Sequence, residues 1–108
     1  MAYSGKATKA LTAQLHLRGG IEAMTLAGHH TLTLKSANYI RFDAGGTSRN
    51  ITLPAESLSN GCFFRIYNAS GGAHDLVVKD ASGSTIMTIA QNTSGLVGCT
   101  GSAWIQLD

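Results

Sequence analysis

The sequence has few charged residues, only two cysteines and no long apolar run. Charged residues make up 13% of the 108 residues, and the eight basic and six acidic side chains are scattered along the chain. Because lysine and arginine form no cluster that could follow a phosphate backbone, nucleic acid is not an expected partner. No segment reaches the roughly 20 apolar residues of a membrane-spanning helix, so we expect no membrane association.

The two cysteines and the start of the chain indicate the compartment. Residues 1–10 contain no apolar stretch and therefore no secretory signal, so we expect the protein to be made in a cytoplasm. Cysteines stay reduced there, which predicts that Cys62 and Cys99 are free thiols packed as small apolar side chains. A disulfide between two strands is the alternative.

The first ten residues also lack a periodic apolar pattern. We interpret residues 1–10 as an extended N-terminal arm that becomes ordered when it meets a partner. Tyr3, Lys6 and Lys9 are the candidate partner contacts on this arm, and a solvated tail is the alternative.

From about residue 31 onwards, the chain consists of short segments in which apolar and polar residues alternate. A period of two is typical of half-buried strands, and Gly, Ser and Asn separate the segments. The predicted strands are 31–34, 39–42, 50–53, 62–68, 76–79, 85–89, 93–99 and 104–107. Their spacing predicts an all-β fold, a small antiparallel β-sandwich resembling a jelly roll.

Two predictions concern the first 42 residues. Residues 35–38 are predicted to form a hairpin loop between the strands 31–34 and 39–42, with Leu32 and Leu34 facing inward.

Further upstream, apolar residues alternate with polar ones at Leu11, Ala13, Leu15 and Leu17. This pattern predicts another strand with 21–26 as its partner, and a helix is the alternative because Ala, Leu and Gln favour helices. A single domain over 11–108 follows the arm.

The strongest enzyme-like motif is the loop from Asp43 to Arg49. Its sequence, Asp-Ala-Gly-Gly-Thr-Ser-Arg, resembles the phosphate-binding hairpin of sugar kinases. Such kinases close two domains over a nucleotide, and 108 residues are too few for this, so we interpret the motif as a flexible loop. No histidine or cysteine spacing is typical of a metal site, and no carboxylates are expected to converge. We therefore predict no catalytic residue, metal or cofactor.

The only tryptophan, Trp104, opens the last predicted strand. We consider it a candidate partner contact or a core residue, and stacking on a sugar is the alternative.

The second half of the chain resembles small β-sandwich modules of tailed-bacteriophage structural proteins. The resemblance rests on Ile51-Thr52-Leu53-Pro54-Ala55, on residues 60–68 (Asn-Gly-Cys-Phe-Phe-Arg-Ile-Tyr-Asn) and on the closing Gly101-Ser102-Ala103-Trp104. These modules occur in capsid decoration (cement) proteins and in tail or head fibres. The resemblance covers about half of the chain and supplies no catalytic residues.

The resemblance implies a virion structural protein located on the capsid surface and made in the host cytoplasm. Its expected partner is the major capsid protein, and its expected state is a homotrimer that bridges capsid subunits. The alternative implied by the same resemblance is a fibre module that recognises host-surface glycans through Trp104, Tyr39 or Tyr67. A glycan binder is expected to leave an aromatic side chain on an open face, whereas a decoration protein is expected to bury its aromatic residues.

Overall fold

The computed structural model describes residues 19–108. The arm with Tyr3, Lys6 and Lys9, and the strand predicted over 11–17, lie outside the described residues. Within them, the elements are the strands β1 (Ile21–Thr25), β2 (His30–Thr31), β3 (Tyr39–Asp43), β4 (Arg49–Thr52), β5 (Phe63–Asn68), β6 (Leu76–Lys79), β7 (Thr85–Ile89), β8 (Ser94–Cys99) and β9 (Trp104–Gln106), and the 3₁₀ helix Glu56–Leu58. The predicted all-β class is confirmed. Within residues 19–108, no helix has the length and apolar composition needed to cross a membrane.

The strands form two sheets, and the first six alternate between them. The five-stranded sheet has the order β1-β3-β5-β8-β9, and the four-stranded sheet has the order β2-β4-β6-β7. Neighbours among β1 to β6 are parallel, and we call these six strands the parallel coil. The pairings of β5 with β8, β6 with β7, and β8 with β9 are antiparallel, and we call β7 to β9 the antiparallel end.

The prediction of a purely antiparallel arrangement is therefore wrong, since both sheets are mixed. The alternation of apolar residues indicates which side of a strand is buried, but it carries no information on the direction of the neighbouring strand. Parallel neighbours need a long crossover connection. Here a strand of the other sheet provides it, as residues 44–62 between β3 and β5 contain β4. The predicted jelly-roll-like topology is not confirmed by this strand order.

The predicted hairpin at residues 35–38 is also wrong, because β2 and β3 lie in different sheets. A turn in which the Ser36 N–H donates to the Thr33 carbonyl (3.0 Å) follows shortly after the end of β2. As a result Leu32 is buried as predicted, whereas Leu34 is 54% exposed. Two other pairs of consecutive predicted strands do form antiparallel hairpins, namely β6 with β7 and β8 with β9.

Side chains from both sheets contribute to one hydrophobic core. In β5, Phe64 and Ile66 are buried while the residues between them are partly exposed, as the alternation predicted. The fully buried core side chains include Phe42, Phe64, Leu32, Ile40, Ile51, Leu53, Ile66, Leu76, Ile89, Val78 and Val97.

One polar residue, Asn68, is completely buried at the end of β5. Its Nδ2 donates to the carbonyl oxygens of His74 and Ile89, both at 2.8 Å. Its Oδ1 accepts hydrogen bonds from the backbone N–H (3.0 Å) and the hydroxyl (2.6 Å) of Ser70. The Ser70 Oγ accepts in turn from the Ala44 N–H at 2.9 Å. This network joins the loops that follow β3 (residues 44–48) and β5 (residues 69–75), which we call the coil corner. It stabilises the coil corner because each of these polar groups would be costly to bury without a partner.

Candidate functional site

An apolar depression lies on the outer face of the five-stranded sheet. It is an open groove with a volume of about 490 Å³, which we call the outer groove. A second apolar depression of similar volume, about 520 Å³, is lined by Leu32, Thr33, Leu34, Lys35, Pro54 and Leu58. The lining of the outer groove consists of Tyr39, Gly61, Cys62, Phe63, Arg65, Leu96, Gly98, Cys99, Thr100, Ile105 and Leu107. Most of these residues belong to β3, β5, β8 and β9 or directly flank them, so the sheet itself forms the floor.

The register of the sheet explains why these side chains meet. Phe63 lies opposite Gly98, and Gly98 lies opposite Ile105, so the three residues form one row across β5, β8 and β9. Gly98 leaves the middle of this row open. A Cβ atom at Gly98 would come within 2.7 Å of the Leu107 Cδ1, so a larger residue would displace the leucine from the groove.

A second row crosses the same face and contributes the groove's one cation. Tyr39 lies opposite Arg65, and Arg65 lies opposite Leu96. The guanidinium Nη1 of Arg65 contacts the Asp108 carboxylate at 3.1 Å and the Ser94 hydroxyl at 3.5 Å. The Asp108 side chain is 69% exposed and that of Arg65 is 33% exposed, so this ion pair contributes at most about 1 kcal/mol to stability. Its main consequence is that the one positive charge of the groove is already neutralised.

Two cysteines lie at the end of the groove near Gly61. Both are free thiols, and their strands are joined by a hydrogen bond from the Cys99 N–H to the Cys62 carbonyl (3.0 Å). Burial, and secondarily the neighbouring Cys99, raise the pKa of the Cys62 thiol, while a hydrogen bond from the Phe63 backbone lowers it. The Cys62 thiol therefore stays protonated at neutral pH, and a protonated thiol is a poor nucleophile.

The structure places Trp104 in the core, which is one of the two roles that the sequence left open for it. Its side chain is only 4% exposed. The indole Nε1 donates to the Pro54 carbonyl at 2.9 Å, and the ring lies against Phe64 with the centroids 5.8 Å apart. A buried indole needs an acceptor, and Pro54 supplies it between the two sheets. Trp104 therefore packs the core and offers almost no surface to a partner or a sugar.

The two other aromatic candidates both lie on the outer face of the five-stranded sheet. Tyr39 is 42% exposed at the rim of the outer groove. Tyr67 is partly buried, and the Arg41 guanidinium lies over its ring at 5.7 Å from the centroid. Since Arg41 covers one face of Tyr67, the ring of Tyr39 is the more accessible of the two.

The kinase-like loop is held by its own backbone. The Asp43 carboxylate accepts the Gly45 N–H at 2.8 Å, and the Arg49 Nε donates to the Ala44 carbonyl at 2.9 Å. Gly45 has a φ of 85°, and a Cβ atom there would lie 2.7 Å from the Leu26 carbonyl oxygen. These contacts give Asp43 and Arg49 a structural role at the coil corner. Among residues 19–108, no three His, Cys, Asp or Glu side chains are grouped closely enough to hold a metal ion.

Sequence reasoning did not find the outer groove, because its members are spread over residues 39–107 and meet only through the strand register. One signal was present in the sequence. Ile105 and Leu107 are large aliphatic residues two positions apart, and Trp104 between the sheets requires them to point the other way. Comparison of the chain with known protein families, with curated proteins and with solved structures gave no match.

Proposed function

We propose that this protein is a virion structural protein, a decoration (cement) protein that docks on the outer surface of a bacteriophage head through its outer groove. The observation that carries this proposal is the cluster of exposed apolar side chains along the groove. Tyr39, Ile105 and Leu107 are all more than 40% exposed there. Exposed apolar patches on a folded protein mark sites of interaction with other proteins.

The chemistry of the groove fits a protein partner better than a soluble small molecule. Its lining is mainly aliphatic and aromatic, and its one guanidinium is paired with Asp108. An apolar segment of the major capsid protein would cover the groove without needing further polar partners. Covering Ile105 or Leu107 would contribute about 1–2 kcal/mol each, since both are already half covered. Contacts of this size become effective when many copies bind around one shell.

The burial of three of the six aromatic residues within residues 19–108 further supports decoration. Phe42, Phe64 and Trp104 are buried. We include in the proposal a homotrimer on the capsid surface, an arm at residues 1–10 that adds a strand to a capsid-protein sheet, and a β-sandwich-like body formed by the two sheets. The shared core of the two sheets supports the last point.

The proposal is tested by cosedimentation of the protein with expanded, undecorated heads of the phage that encodes it. We expect the wild-type chain to pellet with the heads and the double variant Ile105→Asp, Leu107→Asp to stay in the supernatant. Leu58→Asp is the matched control, because Leu58 is an exposed aliphatic residue outside the groove lining. It should bind as the wild type does.

Equal binding of the groove variant and the wild type would contradict docking through the groove. Failure of the wild type to pellet would contradict decoration itself. The circular dichroism spectrum of each variant shows that a loss of binding is not a loss of folding.

A second candidate function, recognition of host-surface glycans, is favoured by one observation. Tyr39 presents an open ring on the same face as Arg65, and an aromatic ring beside a polar side chain is a suitable surface for a sugar. Binding to immobilised glycans that is lost in Tyr39→Ala and kept in Tyr67→Ala would favour this function over decoration.

A further inference from the structure

The two cysteines of the chain, Cys62 and Cys99, lie directly opposite each other in the five-stranded sheet. Phe63 pairs with Gly98 in the register of β5 and β8, so the next pair along the two strands is Cys62 with Cys99. The Cys99 N–H donates to the Cys62 carbonyl at 3.0 Å, which shows that the pairing extends to this position.

The two cysteine side chains also point to the same side of the sheet. Phe64 and Val97 form a directly opposed pair two residues further into β5 and β8, and both are buried in the core. Side chains two positions apart in a strand share a face, so Cys62 and Cys99 face the core as well. The packing agrees with this, because Cys99 belongs to the core and Cys62 packs against it.

The backbone at this pair is held by a β-bulge. The Gly61 N–H donates to the Cys99 carbonyl at 2.9 Å and Gly61 has a φ of 79°, so Gly61 and Cys62 together oppose Cys99. Opposed residues of an antiparallel pair have Cα atoms about 4.5–5.5 Å apart, and a disulfide spans Cα atoms about 4.4–6.8 Å apart. The two sulfur atoms can therefore be joined by rotation of the side chains, without a shift of the strands.

The two thiols differ in how accessible they are. Cys62 is partly exposed at the end of the outer groove, whereas Cys99 is only 7% exposed. An oxidant from solution therefore reaches Cys62 first, and Cys99 lies behind it. Burial is the main cause that raises the pKa of the Cys62 thiol, and Cys99 raises it further, which is expected when two thiols lie close together.

We infer that Cys62 and Cys99 are a redox-sensitive pair that forms a disulfide when the protein meets a low-molecular-weight disulfide such as oxidised glutathione. The Cys62 thiolate attacks one sulfur of the oxidant, whose S–S bond breaks and releases the first glutathione thiolate. The Cys99 thiolate then attacks the Cys62 sulfur of this mixed disulfide and displaces the second glutathione thiolate. The cysteine pair gives up two protons and two electrons, and the oxidant takes them up as two thiols. This inference is independent of the proposed capsid function.

The disulfide closes a loop over residues 62–99, which contains the strands β5 to β8. A cross-link over a long loop restricts the unfolded chain and thereby stabilises the folded state. The loss is small, because the Cys99 Sγ gives up only its weak hydrogen bond to the Glu56 carbonyl (3.5 Å). The pair therefore makes the protein more stable in oxidising surroundings than in reducing ones.

The first test is treatment of the folded, full-length wild-type chain with oxidised glutathione at mildly alkaline pH, where more of the Cys62 thiol is ionised. We expect the product to lose the mass of two hydrogen atoms and to carry no glutathione, and peptide mapping to link Cys62 to Cys99. A lasting glutathione adduct on Cys62, a disulfide between two chains, or two unreacted thiols would each overturn the inference.

The second test separates the roles of the two thiols. Cys99→Ala removes the thiol that completes the bridge, so we expect this variant to accumulate the glutathione adduct on Cys62. Cys62→Ala leaves only the buried thiol, and we expect it to react at least about tenfold more slowly than the wild type. Equal rates for Cys62→Ala and the wild type would contradict the order of attack. If Cys99→Ala does not fold, this comparison of rates still decides the point.

Thermal unfolding measures the consequence for stability. We expect the oxidised wild type to have a Tm at least about 8 °C above that of the reduced wild type. Cys62→Ala is the matched control and should have the same Tm under both conditions. An unchanged Tm in the wild type, or an equal rise in Cys62→Ala, would contradict stabilisation by the disulfide. Because no capsid enters these measurements, they fail or succeed separately from the proposed function.

Discussion

The parallel coil and the antiparallel end have similar strands but different connections. In both regions the strands are mostly four to six residues long, and both contain strands with several buried residues, such as β3 and β5 in the coil and β8 in the antiparallel end. The antiparallel strands β6 and β7 are joined by residues 80–84, and β8 and β9 by residues 100–103, which are short hairpin connections. Parallel neighbours such as β3 and β5 are instead separated along the chain by a strand of the other sheet and the loops on either side of it. The length of the connection therefore decides the direction of pairing, and the composition of the strand does not.

The two regions also differ in how their edge strands are covered. In β7, at the antiparallel end, Ile89 is almost completely buried. In β1, at the start of the coil, no residue is buried, and the inward-facing Met24 remains largely accessible. The edge strand of the antiparallel end therefore contributes to the core, whereas the first strand of the coil contributes no buried residue.

The largest loss of stability is expected from replacing Asn68, because its side chain joins the two regions. Its amide bridges the coil corner, through His74 and Ser70, to the Ile89 carbonyl at the end of β7. We expect Asn68→Ala to lower the free energy of unfolding by about 3–5 kcal/mol, since buried carbonyl groups and a buried hydroxyl lose their partners. Urea denaturation measures this change.

Asn50→Ala is the matched control for Asn68→Ala. Asn50 lies in β4 and its side chain is partly exposed, so we expect a change within about 0.5 kcal/mol. A similar small loss in both variants would mean that the two regions are held together by apolar packing alone.

The role of Asn68 also shows what the sequence could not predict. Strand positions follow from local alternation, and β3, β5, β6 and β7 lie close to the segments predicted for them. Asn68 has the same alternating position as Phe64 and Ile66, but its partners at residues 70, 74 and 89 become neighbours only through the coil corner. Contacts of this kind depend on strand order, which periodicity does not encode.

The next largest loss of stability is expected from replacing a glycine with positive φ. One such glycine in each region is compared. Gly45 (φ 85°) lies at a coil corner, and a Cβ atom there would approach the Leu26 carbonyl oxygen to 2.7 Å. Gly83 (φ 95°) lies in the β6–β7 hairpin with no atom within 4 Å of such a Cβ. We expect Gly45→Ala to cost about 2–3 kcal/mol and Gly83→Ala about 1 kcal/mol, because only the first adds a steric clash to the backbone strain.

Gly46→Ala serves as the control for both glycines, because its φ is not positive and a Cβ atom there meets nothing within 4 Å. We expect thermal unfolding of this variant to match the wild type. Equal destabilisation by Gly83→Ala and Gly45→Ala would mean that the close approach of Gly45 to the Leu26 carbonyl adds nothing to the cost of the backbone strain.

Only part of the candidate site could be predicted from the sequence. The alternation placed Tyr39 and Tyr67 on strands, and they lie in β3 and β5. It could not show that Trp104 would reach the Pro54 carbonyl, since the two residues are 50 positions apart and meet only between the two sheets. For the same reason the rows of the outer groove required the register of β5, β8 and β9.

The smallest change in stability is expected in the hairpin between β6 and β7, where the Asp80 carboxylate accepts several local hydrogen bonds. The Asp80 Oδ1 accepts hydrogen bonds from the Ser82 hydroxyl (2.7 Å), the Ser82 N–H (3.0 Å) and the Ser84 N–H (2.9 Å). The Ser82 hydroxyl bond, followed by the Ser84 backbone bond, holds the pKa of Asp80 below its usual value of 3.8. Since the folded pKa is lowered, the stabilisation is present above pH 3.8 and is lost as the pH falls from there through the folded pKa.

We expect the pKa of Asp80, measured by NMR titration, to lie below 3.8 in the wild type and to rise in Ser82→Ala, which removes the strongest of these hydrogen bonds. Asp80→Asn keeps an acceptor oxygen at the same place but cannot ionise. Its thermal stability should therefore decline less than that of the wild type below about pH 4. Identical pH profiles for the two proteins would mean that the charge of Asp80 does not stabilise the hairpin. The antiparallel end would then be held by its backbone hydrogen bonds and apolar packing alone. The coil corner would differ from it, because there a buried polar side chain, Asn68, holds the loops together.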